Sequence, residues 1–160
     1  MIQRLQDENA LPTQLYLSTN AADYESFLKI NQPRYDDSWK RWNKTLDILS
    51  SLDTRTVLRI TLIKNWNDSK EMIPAFTEMF NKSNPHFIEI KSYMHIGRST
   101  NRLEHENMLD MDEIRSFASG VSQHSNRFSV IDESEISRIV ILQNKERFTD
   151  RYLSAYQETN

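Results

Sequence analysis

Two hydrophobic periods alternate along this chain. Three short segments are rich in apolar and β-branched residues, which predicts strands. Between them, apolar residues recur every three or four positions, which predicts helices with one buried side. The predicted strands are residues 14–18, 56–64 and 87–93, and the predicted helices are residues 22–30, 37–52, 69–81 and 112–124. This order predicts an α/β protein with a parallel sheet.

Weaker patterns occupy the rest of the chain. Residues 1–9 have the pattern of the tail of a helix, and Asn20 is the expected cap of the helix over residues 22–30. Residues 94–110 are predicted to form a loop, whose length is typical of a functional segment. The late apolar segments, residues 128–131 and 136–142, predict a hairpin or two further strands.

The predicted organisation is a main domain over residues 1–144, followed by a peripheral helix or tail over residues 145–160. The last segment is polar, and chain ends of this composition fray.

Each predicted strand has one polar face. Side chains alternate across a strand, so one face carries Gln14, Tyr16 and Ser18, then Arg59 and Thr61, then Phe87, Glu89, Lys91 and Tyr93. Ile88 and Ile90 point the other way. A central parallel strand is normally apolar on both faces, because helices cover both. We therefore predict that helices cover one face and that the other lines a wet or ligand-filled space, as in an open barrel.

Composition excludes several classes of site. A length of 160 residues suffices for one domain with a core, and a net charge of −3 means that any polyanion must meet a local basic patch. The absence of cysteine excludes disulfides, thiolate metal sites and iron–sulfur ligation by this chain. The sequence contains neither a G-x-G-x-x-G nor a Walker motif.

Hydropathy gives no sign of a membrane or a signal peptide. No apolar run approaches the roughly 20 residues of a membrane span. The first ten residues are polar and lack the apolar core of a signal peptide. We expect a cytoplasmic protein with no membrane contact.

The third strand and the loop after it form the most informative segment. An apolar back, a charged front and a basic loop at the tip are typical of one wall of an active site. The loop contains His95, Gly97, Arg98, Asn101 and Arg102. Its arginines are either solvated or contact RNA phosphates. The four histidines have no metal-ligand spacing; we expect His86 and His124 at the surface and place only His95 in a site.

Alternatives stay open for the strand residues. Arg59 either pairs with a neighbouring carboxylate such as Glu89 or holds a ligand carboxylate or phosphate. The same two alternatives, a structural ion pair or a ligand contact, stay open for Lys64 and Lys91. A lysine in a restricted pocket can also act as a nucleophile or base. Ser18 is a turn serine or a ligand contact.

Four segments together carry a specific resemblance. In chain order they are PTQLYLSTNA, NQPRYDDSWKRWNKTLDIL, TRTVLRITLIKNWN and HFIEIKSYMHIGRSTNRL. They resemble tRNA 4-demethylwyosine synthase, in an archaeal style, from about Leu11 to Leu142. The resemblance implies the C-terminal half of a partial (β/α)6 radical-SAM barrel, with its strands four to six. It also implies a lyase that converts 1-methylguanosine beside the anticodon of phenylalanine tRNA, using pyruvate, S-adenosylmethionine and a [4Fe–4S] cluster.

Site residues carry over from the resemblance by position. It implies S-adenosylmethionine contacts by Ser18, Asn20, Arg59 and Thr61, substrate contacts by Lys91, Tyr93, His95 and Gly97, and tRNA contacts by Arg98, Asn101 and Arg102. An acidic residue is common in the family where Asn20 stands. We expect the family's pyruvate-binding lysine in the half that is missing here, and we assign no catalytic residue and no metal ligand.

A second chain is the main expectation. The family's cluster cysteines are absent, so we expect a complementary N-terminal half, with the gene either split or truncated, and an isolated chain that is inactive. One alternative is a non-catalytic fragment that binds tRNA through its arginine loop. Another is an unrelated small α/β enzyme that uses Lys91 on a carboxylate substrate.

Overall fold

A five-stranded mixed sheet forms the centre of the protein, seen in a computed structural model that describes residues 2–153. The strands are β1 (Gln14–Thr19), β2 (Arg55–Leu62), β3 (Phe87–Ser92), β4 (Phe128–Ser134) and β5 (Ile139–Asn144), in the order β1-β2-β3-β5-β4. The first three run parallel. The last two form an antiparallel hairpin that joins β3 through β5. The α/β class, the parallel strands and the late hairpin are confirmed.

Within the described residues, five α-helices connect and flank these strands. They are α1 (Ile2–Asp7), α2 (Tyr24–Asn31), α3 (Ser38–Ser50), α4 (Ile73–Ser83) and α5 (Met111–His124). Short 3-10 turns occur at Lys70–Met72, Gly97–Asn101 and His105–Asn107. The segment predicted as a loop over residues 94–110 therefore contains two of these turns.

The predicted start of α2 is wrong. Asn20 does not cap it, because the helix begins only at Tyr24 and Asp23 occupies the cap position. Oδ1 of Asp23 accepts a hydrogen bond of 2.8 Å from the amide of Ser26. Helix α5 begins at Met111, one residue before its predicted start, and Asp110 and Glu113 form a reciprocal capping box there.

Helices cover one face of the sheet. The apolar stripes of α3, α4 and α5 pack against the side chains of Leu58, Ile60, Ile88, Ile90 and Leu142. All five are fully buried. Burying each such side chain contributes about 1.5–3 kcal/mol.

Of the helix or tail predicted over residues 145–160, the part that the structure describes is not a helix. Residues 145–153 are not helical, and residues 154–160 lie outside the described range. Guanidinium groups hold this segment to the main chain: Arg147 donates to the carbonyls of Leu52 (2.9 Å) and Asn84 (2.8 Å). Arg55 donates to the carbonyl of Asp150 at 2.5 Å and to that of Arg151. Long-range bonds to arginines replace the helical ones.

Within residues 2–153, the helices are too short or too polar to cross a bilayer.

Candidate functional site on the polar face of the sheet

Strand register brings the predicted polar residues onto one face. Ser18, Arg59 and Glu89 are in-register partners on β1, β2 and β3. One pleat nearer the carboxyl ends of the strands, Thr61 is the partner of Lys91. In-register partners point to the same side, which here is opposite the helices. We call this side the polar face.

An ion pair dominates the middle of the polar face. Nε and Nη2 of Arg59 lie 2.7 Å and 3.1 Å from the two carboxylate oxygens of Glu89. The guanidinium carbon lies 4.8 Å from the ring centre of Tyr16 on the other side. The Arg59 side chain remains 36% exposed, whereas that of Glu89 is 8% exposed. The pairing that the sequence left open is therefore present, and part of the guanidinium still faces the open side.

The front of β3 is less open than its sequence indicates. Phe87 and Tyr93 are buried along with Glu89, and only Lys91 is half-exposed. Arg55 covers the Phe87 ring, with its guanidinium carbon 4.5 Å from the ring centre. Tyr93 packs in a second apolar cluster with Ile30, Ile63 and Leu103.

Asn67, which sequence reasoning missed, joins two strand ends. Its side chain is 1% exposed, and its Oδ1 accepts a 2.6 Å hydrogen bond from the amide of Ile63. Its Nδ2 donates to the carbonyls of Asn20 (2.7 Å) and Thr61 (3.0 Å). Asn20 thus contributes a main-chain carbonyl to this junction. The available signal was the polar KNWN sequence directly after β2, since an asparagine there can both donate and accept.

The loop after β3 is anchored at several points. Arg102 donates to the carbonyls of Lys29 (3.1 Å) and Ile30 (3.3 Å) at the end of α2. Ser92 Oγ accepts from the amide of Leu109 at 2.9 Å. Nδ2 of Asn107 donates to the carbonyl of Lys64 at 3.0 Å. These bonds fix the loop above the carboxyl ends of the strands.

Several predicted loop residues face solvent. Arg98 and Asn101 are exposed in the 3-10 turn that begins at Gly97. Gly97 has a φ of +62°, a conformation that glycine adopts without strain. Arg98 therefore presents its charge outward, and Arg102, which is also exposed, bonds the end of α2.

Two polar pairs stand beside this loop. The hydroxyl of Tyr93 lies 3.2 Å from Nδ1 of His95, so these two substrate candidates are hydrogen-bonded. The amine of Lys64 lies 2.5 Å from a carboxylate oxygen of Glu113, and this hydrogen bond raises the pKa of Lys64. Lys64 is therefore held protonated in an ion pair and is a poor candidate for a nucleophile.

The expectation that His86 lies at the surface is wrong. Its Nδ1 accepts a hydrogen bond from the amide of Thr56 at 3.1 Å, which ties the start of β3 to the start of β2. The ring is half-buried. Burial, followed by the charges of Arg147 and Arg55, lowers the pKa of His86 to about 4. His86 belongs to the amino-terminal end of the sheet, away from the loop.

A cavity of about 360 Å³ lies at that end of the polar face. Its sheet side includes Tyr16, Arg55 and Glu89, and Tyr152 and Leu153 from the C-terminal segment line it as well. Arg151 pairs with Asp132 on β4. The segment thus reaches from β2 to β4 and partly closes the polar face from below.

The residues present do not fit an iron–sulfur cluster. Such clusters are bound by cysteine thiolates, and the chain has no cysteine. Across residues 2–153, histidine and acidic side chains form no group of three or more that could hold a metal ion.

Comparison with known proteins identifies the relatives of this chain. Residues 82–144 match the protein family described as wyosine base formation. The S-adenosyl-L-methionine-dependent tRNA 4-demethylwyosine synthase of Methanocaldococcus jannaschii is 42% identical over 140 residues, which are 88% of this chain and 43% of that protein. The protein of the same name from Pyrococcus abyssi is 40% identical over 136 residues, which are 84% of this chain and 39% of that protein.

Solved structures agree with these relatives. A structure of TYW1 with a lysine–pyruvate adduct bound has a TM-score of 0.77 and 40% identity, and the match covers 88% of this chain and 44% of that one. A crystal structure of archaeal TYW1 has a TM-score of 0.69 and 36% identity, with 89% and 44% covered.

The resemblance seen in the sequence is confirmed over nearly all of the described residues. The chain spans less than half the length of the archaeal relatives that it matches. It is a relative of the S-adenosyl-L-methionine-dependent tRNA 4-demethylwyosine synthases and resembles the C-terminal half of these proteins.

Proposed function

We propose that this chain forms one wall of a tRNA 4-demethylwyosine synthase, as strands four to six of a partial (β/α)6 barrel. The observation that carries the proposal is the polar face, which the helices leave open and which carries paired charges and hydroxyls. A complementary N-terminal half closes the lumen over this face. That half also holds the [4Fe–4S] cluster, because this chain offers no thiolate.

S-adenosylmethionine lies against the half of the polar face near the carboxyl ends of the strands. The hydroxyl of Ser18 is exposed and that of Thr61 is half-exposed, so both can bond a polar ligand. Arg59 offers the exposed part of its guanidinium. Asn20 lies at the end of β1, where Asn67 holds its carbonyl in place.

The modified base and pyruvate lie near Lys91, Tyr93, His95 and Gly97. One relative has been described with a lysine–pyruvate adduct. We assign that adduct to a lysine of the complementary half and assign Lys91 a binding role, as a cation facing the lumen. The hydrogen-bonded Tyr93 and His95 can hold a proton beside the substrate.

The tRNA backbone meets the loop above the lumen. Arg98 and Asn101 face solvent and are free to contact phosphate. Arg102 keeps the loop on α2. We therefore give Arg98 the electrostatic contact and Arg102 a positioning role in tRNA binding.

Reconstitution tests the proposal. The chain is mixed under reducing, anaerobic conditions with an N-terminal half cut from an archaeal relative, then given S-adenosylmethionine, pyruvate and tRNA that contains 1-methylguanosine. We expect 4-demethylwyosine, detected by nucleoside mass spectrometry, only when both halves are present, and each half alone is the control. Activity of this chain alone, or a stable complex of both halves without any product, contradicts the proposal.

A non-catalytic tRNA-binding role is the second candidate, and the exposed Arg98 loop supports it. It predicts salt-sensitive tRNA binding by the isolated chain that is lost in the double variant Arg98→Ala/Arg102→Ala. It also predicts that adding the N-terminal half yields neither a complex nor product. The same reconstitution therefore separates the two functions.

A further inference from the structure

We infer that Glu89 is a positioning residue, which fixes Arg59 as the carboxylate-binding group of the lumen. The inference deepens the proposed function and rests on it. Within residues 2–153, Glu89 is the one charged residue that is buried. The other buried polar residues, such as Asn67, Thr56 and Ser92, are neutral. A buried carboxylate costs several kcal/mol unless it is paired. Glu89 lies in the middle of the polar face, and its pairing with Arg59 offsets this cost.

Glu89 fixes the orientation of the guanidinium. Nη2 donates a 3.1 Å hydrogen bond to Oε2 of Glu89, and Nε lies 2.7 Å from Oε1 as an ion-pair contact without hydrogen-bond geometry, so the charge of Glu89 and one hydrogen bond hold the group. Tyr16 supports the same group through its ring from the neighbouring strand. Arg59 is therefore held from both β1 and β3, and few rotamers of its long side chain remain.

The pairing leaves one edge of Arg59 for a ligand. Among the described residues, Nη1 of Arg59 has no hydrogen-bond partner, and the side chain is 36% exposed on the open side of the sheet. A fixed guanidinium edge binds a carboxylate more tightly than a flexible one, because less side-chain freedom is lost on binding. The ligand class is a small carboxylate. Two sources share this chemistry, the amino-acid end of S-adenosylmethionine and pyruvate.

The variant Glu89→Gln distinguishes a positioning role from a simple charge effect, because the two predict opposite changes in the affinity for an anionic ligand. If Glu89 only contributes its negative charge, removing it strengthens the binding of an anion near Arg59. If it positions Arg59, the loss of the ion pair that orients the guanidinium weakens binding. We expect the dissociation constant of the carboxylate ligand to rise about tenfold, in line with the roughly 1.4 kcal/mol of one charge-assisted contact.

The experiment measures ligand binding to the complex of both halves by calorimetry. The probes are pyruvate, S-adenosylmethionine and decarboxylated S-adenosylmethionine. The variants are Glu89→Gln, Arg59→Gln and the exchanged pair Arg59→Glu/Glu89→Arg. We expect Glu89→Gln and Arg59→Gln to weaken one carboxylate ligand, and the exchanged pair to recover thermal stability without recovering that binding. A loss for S-adenosylmethionine but not for its decarboxylated form identifies the cofactor as the source, and a loss for pyruvate identifies pyruvate.

Three outcomes overturn the inference. They are tighter or unchanged binding of both carboxylates by Glu89→Gln, full recovery of binding by the exchanged pair, and equal losses for S-adenosylmethionine and its decarboxylated form with pyruvate unchanged.

A nitrogen-15 NMR titration of the Arg59 side chain in the isolated chain, with pyruvate as the probe, adds a readout that needs no partner. Failure of the halves to associate refutes the proposed function, whereas normal association with unaltered binding by Glu89→Gln refutes only the role of Glu89.

Discussion

Single buried side chains decide how the strand ends are held. Asn67 makes three hydrogen bonds to main-chain groups at the ends of β1 and β2. We expect Asn67→Ala to lower the free energy of unfolding by about 2–3 kcal/mol, because the buried amide of Ile63 loses its acceptor and two carbonyls lose a donor. Urea denaturation measures the change, with Asn126→Ala at an exposed turn as the matched control. A loss below about 0.5 kcal/mol contradicts this role.

His86 predicts a pH dependence of stability. Its pKa is about 4 in the folded protein against 6.5 as the ordinary value, chiefly because of burial. The folded state therefore binds fewer protons than the unfolded state between these values, and stability falls as the pH drops from 6.5 to about 4. Above 6.5 the contribution is fully present, and below about 4 it is fully lost.

Substitution of His86 isolates this contribution. In His86→Asn, the amide oxygen can replace Nδ1 as an acceptor for Thr56 but does not titrate there. We expect urea-denaturation curves between pH 7 and pH 4 to show a shallower decline for this variant than for the parent. His124→Asn, at an exposed position on α5, is the control. An identical decline in His86→Asn and the parent contradicts the assignment.

At the scale of elements, the sequence predicts what local periodicity controls. Helices α3, α4 and α5 each bury one apolar stripe, so their spacing indicates them directly. The segment over residues 145–153 could not be predicted, because its bonds run from Arg55 and Arg147 to distant carbonyls. Asn20 was misjudged as a cap because local preference favours asparagine there, whereas the chain starts α2 at Tyr24.

Local sequence patterns likewise predict only part of the candidate site. Alternation along single strands predicts which residues share the polar face, and register confirms that Arg59 lies beside Glu89. Burial of Tyr93 depends on the loop that returns over it, and the depressed pKa of His86 depends first on burial and then on the charge of Arg147 from the C-terminal segment. Such contacts join residues far apart in sequence, so no local pattern contains them.

The two arginines of the loop after β3 have different proposed roles, tRNA binding for Arg98 and positioning of the loop for Arg102. We expect Arg98→Gln to leave stability unchanged, to weaken tRNA binding and to reduce the salt dependence of that binding by about one ion. Arg102→Gln should instead increase the hydrogen exchange of amides in residues 97–103, because its two bonds to α2 are lost. Fluorescence titration at several salt concentrations measures the first effect. Identical salt slopes for Arg98→Gln and the parent contradict the phosphate contact.

At the scale of the whole molecule, the two faces of the sheet differ in what completes them. Helices of this chain bury the apolar face, whereas the described residues cover the polar face at its ends, with the C-terminal segment at one and the loop after β3 at the other. A face with a partly exposed ion pair and with exposed aromatic and hydroxyl groups is suited to a ligand-filled lumen. We therefore expect the proposed complementary half to stabilise the chain by an amount that rises with the logarithm of its concentration once this exceeds Kd.

Tyr16 tests where that half binds. It is 46% exposed on the polar face and contacts Arg59. We expect Tyr16→Lys to weaken association with the N-terminal half at least tenfold, since it puts an unpaired cation into the lumen beside Arg59. Ile136→Lys introduces the same charge at the 96% exposed turn between β4 and β5 and should leave association unchanged. Analytical ultracentrifugation of labelled halves measures both, with circular dichroism to verify that each variant is folded. Equal affinities for the two variants would place the partner away from the polar face.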